Sequence, residues 1–97
     1  MAQASSEQAA GAAAVLVTLP DCVDLHARPA ADFVRTAMGF TADLQVAVGD
    51  REVNAKSLLS VLALGAKGGT ELRLTAAGED SEAALDALAA RVATLTD

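Results

Sequence analysis

Residues 42–54, ADLQVAVGDREVN, decide the fold. Leu44, Val46 and Val48 alternate with Asp43, Gln45 and Ala47, the period of two that a strand with one buried face requires. Gly49-Asp50 supplies turn chemistry, and Arg51-Glu52-Val53-Asn54 reads as a short return strand, so the pair forms an antiparallel hairpin. A hairpin with one apolar and one polar face belongs to an antiparallel sheet that is covered on one side and wet on the other.

Working outward, the sequence supplies two more strands and three helices. Residues 14–19 (AVLVTL) are short and β-branched, and Pro20-Asp21 ends them. Residues 70–76 (TELRLTA) alternate again. Ala30, Phe33, Val34 and Ala37 recur at i, i+3, i+4 and i+7, one stripe of a helix with Pro29 in its first turn and Gly39 at its end. Ser57 is placed to N-cap a short helix carrying Leu58, Leu59, Val61 and Leu62, which Gly65 closes. A last helix opens on Glu79, Asp80, Ser81 and Glu82, acidic and capping residues suited to the positive end of its dipole, and buries Leu85, Leu88, Val92 and Leu95. The order βαββαβα predicts an α+β two-layer domain, a four-stranded antiparallel sheet with three helices on one face. Residues 1–13 are small and polar without periodicity and read as a flexible extension; residues 14–97 form the domain.

Composition narrows the function. The chain has 97 residues, 24 of them alanine, no Trp or Tyr and two Phe, so it has no aromatic platform for stacking bases or sugars. Its formal charge of -6 lacks the basic footprint that binding to nucleic acid needs. No apolar run approaches the roughly 20 residues of a membrane span, and residues 1–14 carry neither the positive charge nor the leucine-rich run of a signal sequence. One cysteine, Cys22, allows no internal disulfide, and a reducing cytoplasm is the expected compartment. No second thiol or histidine cluster offers a metal site, and no nucleotide-binding loop implies a cofactor, so none is expected. Any imidazole chemistry falls to the only histidine, His26.

His26 lies in Leu25-His26-Ala27-Arg28-Pro29-Ala30, on the turn from first strand to first helix. A helix start presents unpaired N–H groups and partial positive charge, an arrangement that holds phosphate. Arg28 adds a guanidinium able to grip phosphate oxygens. An imidazole beside such an anion-holding arrangement suits a phosphoryl acceptor. The spacing alone leaves open a surface cap or a packing residue, the commoner roles of a histidine beside an arginine.

The segment resembles the active-site signature of HPr, the histidine-containing phosphocarrier of the bacterial phosphoenolpyruvate-dependent sugar phosphotransferase system. Asn54-Ala55-Lys56-Ser57-Leu58-Leu59 is similar to that family's second motif, and residues 64–72 (LGAKGGTEL) to the stretch that follows. The resemblance runs from about Val15 to Leu95 and implies an open-faced β-sandwich. It implies that His26 accepts phosphate on Nδ1 from enzyme I and passes it to an enzyme IIA, that Arg28 contacts the phosphate with Ala27 and Pro29 supporting it, and that turnover requires those partner enzymes. It also implies that Leu58, Leu59 and Leu62, rimmed by Arg35, dock the partners, and that Ser57 is the family's regulatory serine, phosphorylated in many Gram-positive bacteria by a kinase and then bound by a transcriptional regulator. Two other outputs stay open: a regulatory adaptor governed by Ser57, and a carrier for a non-sugar branch such as dihydroxyacetone kinase. The chain departs from the family pattern at Val23-Asp24, where a glycine usually precedes the Leu-His pair. The Asp24 carboxylate has three readings: opposing the phosphoryl group, orienting the imidazole, or facing solvent.

Overall fold

The computed structural model describes residues 12–96. Strands β1 (Ala12–Thr18), β2 (Asp43–Val48), β3 (Arg51–Asn54) and β4 (Glu71–Ala77) alternate with helices α1 (Ala27–Met38), α2 (Leu58–Leu64) and α3 (Ser81–Thr94) in the order β1-α1-β2-β3-α2-β4-α3. The first strand begins at Ala12, so two residues of the expected extension belong to the sheet; residues 1–11 lie outside the described ones.

All pairings are antiparallel, in the spatial order β1-β4-β2-β3. The alternation seen in the sequence becomes two kinds of row across the sheet. Val15, Leu74, Val46 and Val53 stand opposite one another in turn and form an apolar row. Leu74 and Val46 are fully buried at its centre, whereas Val15 and Val53, on the edge strands, are partly buried. The neighbouring row, Leu16, Arg73, Ala47 and Glu52, belongs to the opposite face. There Ala47 is only 1% exposed although its face meets solvent. Its two lateral neighbours explain this: Arg73 and Glu52 approach to 3.9 Å across it. A small residue in the middle strand leaves room for two long side chains to close over it, the stems of the charged groups covering apolar surface while their heads stay wet.

At the hairpin between β2 and β3, Gly49 has φ +61 and Asp50 is not among the residues with positive φ, the sign pattern of a turn that takes glycine first. Helix α3 packs on β1, β4 and β2, α2 packs on β3 and β2, and α1 packs on both other helices. The core beneath them is aliphatic around one aromatic, Phe33, with Leu19, Leu25, Leu44, Leu72, Leu74 and Leu88 fully buried. Of the residues expected to line α1, Ala30, Phe33, Val34 and Ala37 are all buried, and Pro29 is buried with them in the first turn.

Asp80 occupies the N-cap position of α3 but makes no capping bond to its own helix. Its two carboxylate oxygens accept the N–H groups of Thr41 and Ala42, at 2.9 and 2.8 Å. The carboxylate at the start of α3 thereby also ties the entry of β2 to the turn after β4. Those N–H bonds, the one from Thr41 foremost, hold its pKa below the ordinary aspartate value of 3.8, against an opposing effect of burial.

Candidate functional site at the start of helix α1

The loop from β1 to α1 is anchored on both sides of His26. Before it, Leu25 is fully buried and donates its N–H to the Ala66 carbonyl at 2.8 Å. After it, Pro29 and Ala30 are buried, and the Ala30 N–H closes the first helical bond onto the His26 carbonyl at 3.3 Å. Apolar anchors at positions 25, 29 and 30 leave His26, Ala27 and Arg28 exposed between them. The sequence folds this way because an aliphatic residue precedes the histidine and a proline sits where helix formation costs no N–H donor.

His26 is the N-cap of α1, with φ -148 and ψ 173, and its side chain makes no capping bond. Its own N–H donates to the Asp24 carbonyl at 2.9 Å. The ring is therefore not consumed as a cap, one of the commoner roles open to it from sequence. The N–H groups of Ala27 and Arg28 precede the first intrahelical bond and have no acceptor within the helix. Ala27 has φ +50, and is the one non-glycine residue with positive φ among those described. A left-handed conformation costs an alanine roughly 1–2 kcal/mol. The strain falls directly beside the histidine. No acidic residue occupies the first turn of α1, and Arg28 takes part in no salt bridge among the described residues. Together these place an exposed imidazole, two unspent amides and an unpaired guanidinium at one helix start, a combination able to accept a phosphoryl group and hold its oxygens.

Asp24 is half-buried, and its carboxylate has a partner in another loop. Its Oδ1 accepts the Gly68 N–H at 2.8 Å, across the gap to the loop between α2 and β4. That loop lies against the loop from β1 to α1 so closely that a Cβ at Gly68 would stand 2.2 Å from the Asp21 carbonyl oxygen. Only glycine allows such an approach. Cys22 is exposed in the same loop.

The second motif lies beside α1. Ser57 caps α2 as expected, its Oγ accepting the Ser60 N–H at 3.2 Å, and Gly65 ends the helix in the left-handed conformation. Val61 and Leu64 are buried, while Leu58, Leu59 and Leu62 are 41%, 80% and 37% exposed. Arg35 does not stand as a free charge. It pairs with Asp32 one turn earlier at 2.8 Å. Arg35 lines a shallow groove of about 320 Å³ between α1 and α2 with Ala31, Val34, Met38, Lys56 and Leu58.

Three participants were not read as such from sequence. Met38 is 65% exposed and extends the leucine patch across the groove; its place four residues after Val34, on the edge of the apolar stripe, was the available signal. Lys56 reaches back to the Phe40 carbonyl and ties α1 to the entry of α2. Arg51, from the hairpin, donates to the carbonyls of Ala63 and Leu64 at 2.9 and 3.4 Å and so holds the C-terminus of α2. The last two contacts join residues distant in the chain and carry no periodic signature.

No helix among the described residues is long and apolar enough to cross a membrane. The family model described as "PTS HPr component phosphorylation site" matches residues 13–94. The phosphocarrier protein HPr of Haloferax volcanii is 52% identical over 66 residues, covering 66% of this chain and 74% of that protein. A multiphosphoryl transfer protein of Xanthomonas campestris is 44% identical over 72 residues, 74% of this chain; the chain spans only 9% of that much longer protein. The crystal structure of the phosphocarrier protein HPr from Bacillus anthracis superposes with a TM-score of 0.80 at 38% identity, covering 84% of this chain and 96% of that one. Sequence, fold and the family match agree on one assignment: the chain belongs to the HPr family of phosphocarriers of the phosphotransferase system.

Proposed function

We propose that His26 is the phosphoryl-accepting residue of this phosphocarrier, charged by phosphorylated enzyme I and discharged to an enzyme IIA in carbohydrate uptake. The observation that carries this is the exposed, uncapped imidazole at the start of α1, beside Arg28 and two amides with no helical acceptor. In each transfer a ring nitrogen attacks phosphorus, the new N–P bond forming as the bond to the donor's nitrogen breaks. The amides at the head of α1, with Ala27 and Pro29 shaping the turn, and the Arg28 guanidinium receive the charge of the phosphoryl oxygens. Specificity comes from protein docking on Leu58, Leu59, Leu62 and Met38, with Arg35 at the rim. The cytoplasm is the compartment where such partners and phosphoenolpyruvate meet.

Ser57 has a second role in this reading. Phosphorylated by a serine kinase, it would set two negative charges at the N-terminus of α2, beside the leucines that receive enzyme I, and switch the docking face. The capping bond to Ser60 keeps that hydroxyl at the helix start in the unmodified protein.

The test is incubation with enzyme I and phosphoenolpyruvate, read by mass spectrometry. The expected result is the gain of one phosphoryl group, acid-labile and base-stable, that is absent in His26→Ala. No gain by the wild-type chain, or the same gain in the variant, overturns the assignment.

A further inference from the structure

An exposed histidine on a loop needs support from outside that loop if it is to meet a phosphorus atom in one geometry. The helix supplies support only after His26, at Pro29 and Ala30. On the other side the chain is held by two 2.8 Å bonds to a single neighbouring loop: Leu25 N–H to the Ala66 carbonyl, and Gly68 N–H to Asp24 Oδ1. The Asp24 carbonyl, in turn, accepts the His26 N–H at 2.9 Å. Asp24 is thus bonded by its side chain to the support and by its backbone to the reacting residue.

We infer that Asp24 is a positioning residue of the phosphoryl-transfer site, pinning the His26 loop to the Gly68 amide. The inference rests on the proposed role of His26. The glycine usual to the family at this position has no side chain to make such a bond, so the pin belongs to this chain's own residue. A carboxylate two residues from the acceptor would repel an incoming phosphoryl group if it turned toward it. Bonded to Gly68, it faces the other loop and its charge is partly spent on an amide. The close contact of Gly68 with Asp21 keeps that amide within reach, because the two loops meet backbone to backbone there. Displacement of a reacting group by as little as an ångström is costly in rate, so even a modest loosening of this pin is measurable.

The test compares the wild-type chain with Asp24→Ala and Asp24→Asn, since an asparagine oxygen can accept the same N–H. Amide hydrogen exchange reads the pin at Gly68. Phosphorylation is measured with enzyme I at several concentrations of the chain, and in parallel with phosphoramidate, a small donor that needs no docking. Asp24→Ala is expected to speed Gly68 exchange about tenfold and to lower the saturated transfer rate about tenfold with KM little changed, the size of one intramolecular hydrogen bond. Asp24→Asn is expected to restore both to within about threefold. Equal transfer by Asp24→Ala and wild type with either donor overturns the inference, as does an Asp24→Asn variant as slow as Asp24→Ala. A wild-type chain that takes phosphate from phosphoramidate but not from enzyme I defeats the proposed function alone, because the small-donor series still decides the role of Asp24.

Discussion

The starts of helices α1 and α3 are built from opposite materials. At α3 the N-cap residue is Asp80, Glu82 follows in the first turn, and the carboxylate of Asp80 takes two N–H bonds from the entry of β2. At α1 the N-cap is His26, its side chain makes no bond, no acid occupies the first turn, and the next residue has φ +50. One helix start is charged against its dipole and sewn to the sheet; the other is left electropositive, strained and open. Stability alone favours the first arrangement. The second pays in strain and in unpaired amides, and on the proposed reading it gains amides and a guanidinium able to receive phosphoryl charge beside His26. The start of α2 falls between them, closed by Ser57 with a neutral hydroxyl.

The comparison breaks most sharply at His26. His26→Ala is expected to lose phosphorylation entirely while thermal unfolding stays within about 0.5 kcal/mol of wild type, because the imidazole caps nothing. A large loss of stability would show that this helix start is structural after all. Next in size, Arg28→Ala is expected to slow transfer from enzyme I by about 10- to 100-fold, the value of charge-assisted bonds to phosphate oxygens. An unchanged rate would assign the phosphoryl charge to the amides alone. Ser57→Ala should lower stability by about 1 kcal/mol in denaturant titration, since it removes the one side-chain cap of α2.

The smallest effect concerns Asp80 and separates the two helix starts by pH. Its folded pKa lies below the ordinary 3.8, so its stabilisation is complete above that value and is lost as pH falls through the lower folded one. Asp80→Asn should therefore flatten the acid side of the stability curve and leave the profile near neutrality with the same shape. An unaltered acid slope would mean that the bonds to Thr41 and Ala42 do not depend on the carboxylate charge.

Much of this was legible in the chain. The alternation at 42–48 placed Leu44 and Val46 inward, the stripe Ala30, Phe33, Val34, Ala37 gave the buried face of α1, and Ser57 and Gly65 marked the ends of α2. The position of His26 at a helix start was readable as well, from Pro29 and the apolar spacing. What the sequence did not supply are the partners of charged side chains. Asp80, at the start of α3, also takes two N–H bonds from the entry of β2; Arg35, lining the groove beside Leu58, also pairs with Asp32; Asp24, two residues before His26, accepts the Gly68 N–H. A long or flexible polar side chain chooses its partner from whatever the fold brings near, 44 residues away in the case of Asp24.

By itself, then, the sequence determined the elements, their order, the inward faces and the one imidazole, because hydrophobic period, turn chemistry and capping are local properties. Only the tertiary structure decided that Ala47 is roofed by Arg73 and Glu52, that Met38 joins the leucine patch, and that the His26 loop is held through Gly68. Those facts depend on strand register and on the approach of two loops, distances that no local pattern encodes, and they turn a histidine at a helix start into a supported site.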